Sequence, residues 1–499
     1  MLGIGFVFGF FFSFALVAAS EDGATPLHRA AFDNDAKQVA LLLKSGADPN
    51  ASTRIGKLTP LTMAAANGNP AILETLLKAG ADANVRTENG ATALMLAVTP
   101  EAVRVLVAHG ADVNAKDTAR GQTALMFAAA KNRPTVIEAL MQAGADPKVS
   151  TDVKKLERPR FDEDGNPLSA AGAPPVPGKR PPGVGGFARG TSATVMGGIT
   201  ALLLAARDGN LEATKALLDN GADVNQVSGG EKTSPLVIAI CNGHYTLARH
   251  LLDRGANPNL ATIDGLAALY AVEDAEFAQM GWAPNPITTQ EKVGYLELMK
   301  ALLNNGADPN AKLTKALWFR PTSHNQEWID KKGATPFWRA AQANDVRAMK
   351  LLKERGGDAN IATAEGVTPL MVAAGLGWGA NASRTVPDGW ISAVKYLVEE
   401  LQADVNAHDM YNYTALHGAA YRGDNELVKY LVQKGAKLDV RSKKGQTVTD
   451  MANGQLVNAH LPMEHPDTVA LLLKLGAPPA ELPAAGAPRA AKIAEKENP

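Results

Sequence analysis

Side chains able to do covalent chemistry are few in this 499-residue chain, and they stand apart from one another. Its nine histidines are scattered. His460 and His465, with Glu464 beside the second, come nearest to a metal-ligand set. Their spacing matches no zinc pattern, and no further ligand follows them. The single cysteine, Cys241, follows a small-residue pair in an apolar stretch and reads as a packed or half-exposed thiol, not a nucleophile. Gly183-Val-Gly185-Gly-Phe-Ala188 has the glycines of a dinucleotide loop but no preceding strand to position them. Asp162-Glu163-Asp164-Gly165 has the charge of a calcium loop without its bidentate glutamate. GxxxxGK[ST], GxSxG, HExxH and CxxCH are all absent. The reading is therefore of a chain with no catalytic residue, no metal and no cofactor.

Recognition is the other chemistry that residue type suggests. All six tryptophans fall between Trp282 and Trp390. Trp318, Phe319, Arg320, His324 and Trp328 share one irregular segment, and Trp338 follows on a helix. Tryptophan and arginine in exposed segments are the usual anchors of a binding surface, so these six residues form the candidate partner site. Long loops also need small cores of their own, and Trp282, Trp378 and Trp390 can serve by pinning insertions to the body.

A repeated unit must position these segments. It is clearest at Asn412–Asp439, NYTALHGAAYRGDNELVKYLVQKGAKLD. Thr414 opens a short helix, Ala419-Ala420 keeps that helix thin, and Gly423 turns the chain. Leu427, Val428, Leu431 and Val432 recur at helical spacing on a second helix, which Gly435 ends. The opening residue recurs as Thr25, Thr59, Thr92, Thr123, Thr200, Ser234, Ala267, Thr335, Thr368, Thr414 and Thr447, giving eleven copies. Pro26, Pro60, Pro235, Pro336 and Pro369 stand at the first helical position, where a missing N–H costs nothing. Segments such as Gly46-Ala47-Asp48-Pro49-Asn50 suit the turn between units.

With TPLHRAA at Thr25–Ala31 and ALLLKSGADPN at Ala40–Asn50, the pattern resembles the ankyrin repeat over about 400 residues. The resemblance implies an all-α solenoid of about eleven helix–turn–helix repeats, with hairpin fingers along one edge and a concave face. It also implies protein binding without common catalytic residues. His28 and His417 fill its TPLH slot and His244 its Gly-His slot, which makes them structural, while Trp338 occupies a slot that usually holds His.

The chain divides as follows. Residues 1–20 read as a signal peptide, 22–148 as a block of four repeats, and 149–197 as a Pro- and Gly-rich linker or long loop. Residues 198–477 form a block of seven repeats with insertions at 274–290, 311–332, 377–389 and 453–465, and 478–499 form a disordered tail. Leu2–Ala19 is uncharged and largely apolar and ends in Ala18-Ala19-Ser20, which suits cleavage, although no basic residue precedes it. The expectation is an exported bacterial protein, periplasmic or secreted; an uncleaved 2–19 segment would anchor it to a membrane instead. Fifty basic against 51 acidic residues argue against a nucleic-acid surface. The expected function is a monomeric, non-catalytic scaffold that binds an unidentified protein partner through the concave face and the aromatic finger. The alternative is a binder of a small molecule or a glycan or cell-wall fragment at the Trp-rich region of repeats seven to nine.

Overall fold

The structure is a computed structural model. It describes residues 22–155, 160–161, 167–168, 195–278, 285–315, 317, 329–379, 383, 385–387, 389–454 and 464–481. Two compact units divide the chain between Thr262 and Ile263.

Each repeat is a pair of short helices whose start is fixed by its opening residue. In repeat two, Pro60–Asn67 precedes Pro70–Lys78. Thr59 stays extended, its hydroxyl accepts the Thr62 N–H at 3.3 Å, and the Thr62 hydroxyl accepts the Thr59 N–H at 2.9 Å. A histidine three residues on does the same with its ring: the Thr25 N–H donates to His28 Nδ1 at 3.1 Å. The proton must then sit on Nε2, which donates to the Leu58 carbonyl of the next repeat at 3.0 Å. At His417 burial drives the imidazole pKa down to about 4, so that ring stays neutral.

In the N-terminal unit the first helices stack in the order Pro26–Phe32, Pro60–Asn67, Ala93–Leu96, Ala124–Ala130, Ala201–Arg207, Pro235–Cys241. The 149–197 segment does not divide this stack, which favours a long loop over a linker between two blocks. Ala124–Ala130 packs directly on Ala201–Arg207, and Pro134–Gln142 on Leu211–Asp219. The ends of the segment zip together, Val153–Lys155 pairing antiparallel with Val195–Gly197. Farther out, Arg160–Phe161 pairs with Pro167–Leu168. The paired ends therefore form the base of a long finger, and the stack on either side of that base is continuous.

Neighbouring fingers are joined by an asparagine ladder. Asn84 donates from Nδ2 to the Gly110 carbonyl at 2.9 Å and accepts the Asp112 N–H at 2.8 Å. Asn50 and Asn114 repeat both bonds, as does Asn225 after the long finger. In the C-terminal unit Asn310 and Asn406 do the same. Lys148 fills the asparagine slot just before the long finger, and the paired zipper strands follow it.

The C-terminal unit stacks Ala268–Glu276, Pro336–Gln342, Pro369–Ala373, Ala415–Arg422 and Val448–Ala452 as first helices. The helix of repeat seven runs on to Glu276, so its insertion begins at Phe277 and not at Asp274. In repeat nine the second helix, Trp390–Lys395, continues as a π-helical turn, Tyr396–Glu400. Aligned on Lys395-Tyr396-Leu397 and Lys429-Tyr430-Leu431, this repeat carries one residue more than repeat ten before the closing position. The wider turn absorbs it through Leu401 N–H to Tyr396 carbonyl at 3.2 Å. Gln402 then takes φ +58°, the left-handed conformation that Gly435 supplies in repeat ten.

One rung of the ladder is open to test. Asn84→Ala removes two hydrogen bonds between repeats and is expected to cost about 1–2 kcal/mol. Urea denaturation followed by circular dichroism measures it; an unchanged midpoint would show that the ladder does not tie the repeats.

Candidate functional site

The finger singled out from the sequence is rooted in the C-terminal unit by its backbone. Leu313 donates to the Ala334 carbonyl at 3.0 Å, Gly333 to Leu313 at 2.8 Å, and Thr314 to Asp264 at 2.8 Å. Trp318, Phe319, Arg320, His324 and Trp328 lie outside the described residues, as do Trp282 and His460. The residues closing the finger are described. Ile329 is buried, and a Cβ on Gly377 would fall 2.5 Å from its Cδ1. Fingers and helix–helix loops leave opposite ends of a helix pair, yet here the long finger reaches the repeat-nine loop. Only glycine at 377 admits the isoleucine.

Trp338 is a correction to the candidate site. Its side chain is fully buried, and its indole N–H donates to the Val367 carbonyl at 3.0 Å. Val367 precedes Thr368 as Leu58 precedes Thr59, so the indole makes the bond between repeats that His28 makes. It presents no surface to a partner. His465 is likewise structural: its Nε2 lies 3.1 Å from the Tyr421 carbonyl, as that of His244 lies 3.1 Å from Arg207. Its ring lies over Gly423, where a Cβ would be 2.4 Å from Nδ1.

Beside the finger root, Trp378 and Trp390 meet edge to face with centroids 6.0 Å apart. The Arg422 guanidinium lies 3.3 Å from the Trp390 ring centroid and donates to Asp424 at 2.6 Å. Burial lowers the Arg422 pKa to about 10, so it remains a cation at neutral pH. The repeat-nine insertion is thus held at both ends. The two tryptophans line a shallow crevice with Gln342, Asn344, Ser383 and Thr385, whose enclosed volume of about 10 Å³ has room for one water.

A second cluster escaped the sequence reading. Glu273 is fully buried, and neither carboxylate oxygen has a hydrogen-bond partner. Burial above all, then the Asp345 charge, pushes its pKa well up, against Arg339 and Arg347. Arg339, itself buried, lies 3.3 Å from Asp274 and donates to the Phe277 carbonyl at 2.7 Å. Asp345 caps Val346–Glu354, accepting the Arg347 and Ala348 N–H groups at 3.0 and 3.1 Å as well as the Tyr295 hydroxyl. The signal was present in the register. Glu273 occupies the slot of Ala31, Ala65, Ala129 and Ala420, and Arg339 that of Met63, Ile238 and Val372.

A group whose folded-state pKa is raised contributes stability below its unfolded value, and that contribution is lost as pH rises through the folded value. For Glu273 the loss begins near the ordinary value of 4.5. Glu273→Gln cannot ionise, so the variant's urea midpoint is expected to gain on wild type steadily as pH rises above that value. A difference that stays constant with pH would show that the carboxyl does not titrate in the fold.

Models of ankyrin repeats match residues 61–151, 187–262, 287–382 and 382–442, and a second matches 27–77. The mouse B-cell lymphoma 3 protein homolog is 27% identical over 224 residues, covering 44% of this chain and 37% of that protein. Human ankyrin repeat and SOCS box protein 16 is 28% identical over 281 residues, covering 50% of this chain and 53% of that protein. The chain thus spans about a third of the first relative and about half of the second. The crystal structure of the human ASB11 ankyrin repeat domain covers 56% of this chain and 99% of its own, at a TM-score of 0.38 and 24% identity. The family models cover well over half of the sequence, and the chain belongs to the ankyrin-repeat family.

Proposed function

We propose that the chain is a non-catalytic scaffold that binds a protein partner through its first-helix face and the extended finger 311–332. Ankyrin repeats are typically protein–protein interaction modules. The observation that carries this reading is the rooting of the finger. Backbone bonds from Leu313, Thr314 and Gly333, together with the seat of Ile329 on Gly377, hold its base to two repeats. Holding the two ends of a segment in this way leaves it less conformational freedom to lose on binding than a free loop has. Residues 2–19, with the character of a cleaved signal or an anchor, support a place outside the cytosol, in the periplasm of a bacterium or secreted.

The test is affinity capture from extracytoplasmic extract with the mature chain and with a Trp318→Ala, Arg320→Ala, Trp328→Ala variant. A protein retained by the wild type and lost by the folded variant is the expected result. Equal retention by both would move the site to the first-helix face.

A second reading, recognition of a small molecule or a glycan or cell-wall fragment, draws on the Trp378–Trp390 crevice with its amide and hydroxyl lining. On that reading soluble cell-wall fragments change the tryptophan emission of the wild type and not that of Trp378→Ala. An unchanged emission would remove it.

A further inference from the structure

Four neighbouring fingers of the C-terminal unit meet edge to edge at their tips. Ala364 donates its N–H to the Lys332 carbonyl at 2.6 Å, Met410 to Glu365 at 2.7 Å, and Lys443 to Tyr411 at 2.9 Å. The result is one continuous ledge that takes in the closing residues of the long finger.

Its centre is apolar and exposed. Met410 keeps 50% of its surface open and Tyr411 41%, side by side on one tip. Among the described residues no other two large apolar side chains this exposed are adjacent in sequence. Tyr411 is also held in place, because its hydroxyl donates to Glu365 at 3.2 Å. The other oxygen of Glu365 accepts the Asp330 N–H at 3.2 Å, and Asp330 in turn accepts the Lys332 N–H at 2.9 Å. The carboxylates of the ledge, Glu365, Asp330 and the buried Asp409, therefore all have donors within it, Asp409 accepting the Tyr411 and Tyr413 N–H groups at 2.9 and 2.8 Å. The ammonium groups of Lys332 and Lys443 are exposed at its two ends, and neither is in an ion pair among the described residues.

We propose that this ledge docks an extended segment of a protein partner in which an apolar side chain is flanked on both sides by carboxylates. The proposal rests on the scaffold reading and gives its partner a chemistry. The apolar side chain covers Met410 and the Tyr411 ring, and the carboxylates meet Lys332 and Lys443. Helix pairs stack roughly 8–10 Å apart, so three steps between four fingers span about 24–30 Å. An extended chain at roughly 3.3 Å per residue crosses that distance in about eight residues. A nucleic acid fits less well, since its phosphates recur along the whole ledge, past Glu365 at the centre where the peptide brings an uncharged side chain, and Met410 would contribute little.

The test is selection from a displayed library of random peptides long enough to span the ledge, with the full chain as target. Selected peptides are then synthesised, labelled and titrated by fluorescence anisotropy. The titrations use the wild type, Met410→Ser with Tyr411→Ser, Lys332→Glu with Lys443→Glu, and the triple finger variant. The expected peptides carry an apolar residue between acidic ones. Each ledge variant weakens them about tenfold or more, and added salt weakens them on the wild type. Circular dichroism melting of every variant separates lost binding from lost folding.

Peptides without acidic residues, or peptides that the ledge variants bind as tightly as the wild type, overturn the ledge. If those same peptides are lost on the triple finger variant, the scaffold reading survives and only the ledge fails. Enrichment of no peptide also overturns the ledge, and the capture experiment then judges the scaffold reading separately. A labelled single-stranded oligonucleotide bound more tightly than the peptides, and released by the Lys332→Glu, Lys443→Glu variant, would replace the protein segment by a nucleic acid.

Discussion

Every feature of this protein depends on the inability of two short helices to bury their own apolar faces. A first helix of seven residues such as Pro336–Gln342 makes barely two turns and is marginal alone. Its stability comes from neighbours, and so the contact between repeats is what the sequence must protect. Three devices recur at that contact. A small pair such as Ala419-Ala420 lets helices approach, a ring or hydroxyl three residues after the opening threonine closes the cap, and an asparagine bonds the next finger. Because each repeat touches mainly its neighbours, a local departure is paid for locally. The π-helical turn of Tyr396–Glu400 shows this, absorbing one extra residue within its own repeat.

Most of the fold was legible because those devices are chemical and periodic. Thr59, Pro60 and Gly68 can be placed by cap, first-turn and turn chemistry with no knowledge of what surrounds them. What surrounds a residue was less legible. The type of Trp338 suggests a surface anchor and its slot, which usually holds His, a structural role; the slot is the better guide, since the indole is buried and donates between repeats. The composition of the 149–197 segment fits a linker and a long loop equally. Its ends, Val153–Lys155 and Val195–Gly197, carry no proline, and they pair.

The least legible part of the candidate site is where insertions meet. Nothing in the spacing of Ile329 and Gly377 says that a finger and a helix–helix loop come into contact, since their elements point apart. Glu273 is the opposite case. Its type is wrong for its slot, and the register alone would have marked it. A carboxyl in the place of a small alanine means that the contact between repeats has been rebuilt there. The structure shows the rebuilding in Arg339, Asp274, Asp345 and Tyr295.

The zipper at the base of the long finger has a consequence for descent. Once Val153–Lys155 and Val195–Gly197 are paired, the stack on either side does not register what lies between them. Closing a flexible loop of twice the length costs only about 0.6 kcal/mol more. Residues can therefore be gained, lost or exchanged between the paired strands while the helices keep their partners. Such a site lets a lineage try new sequence without endangering the fold that displays it.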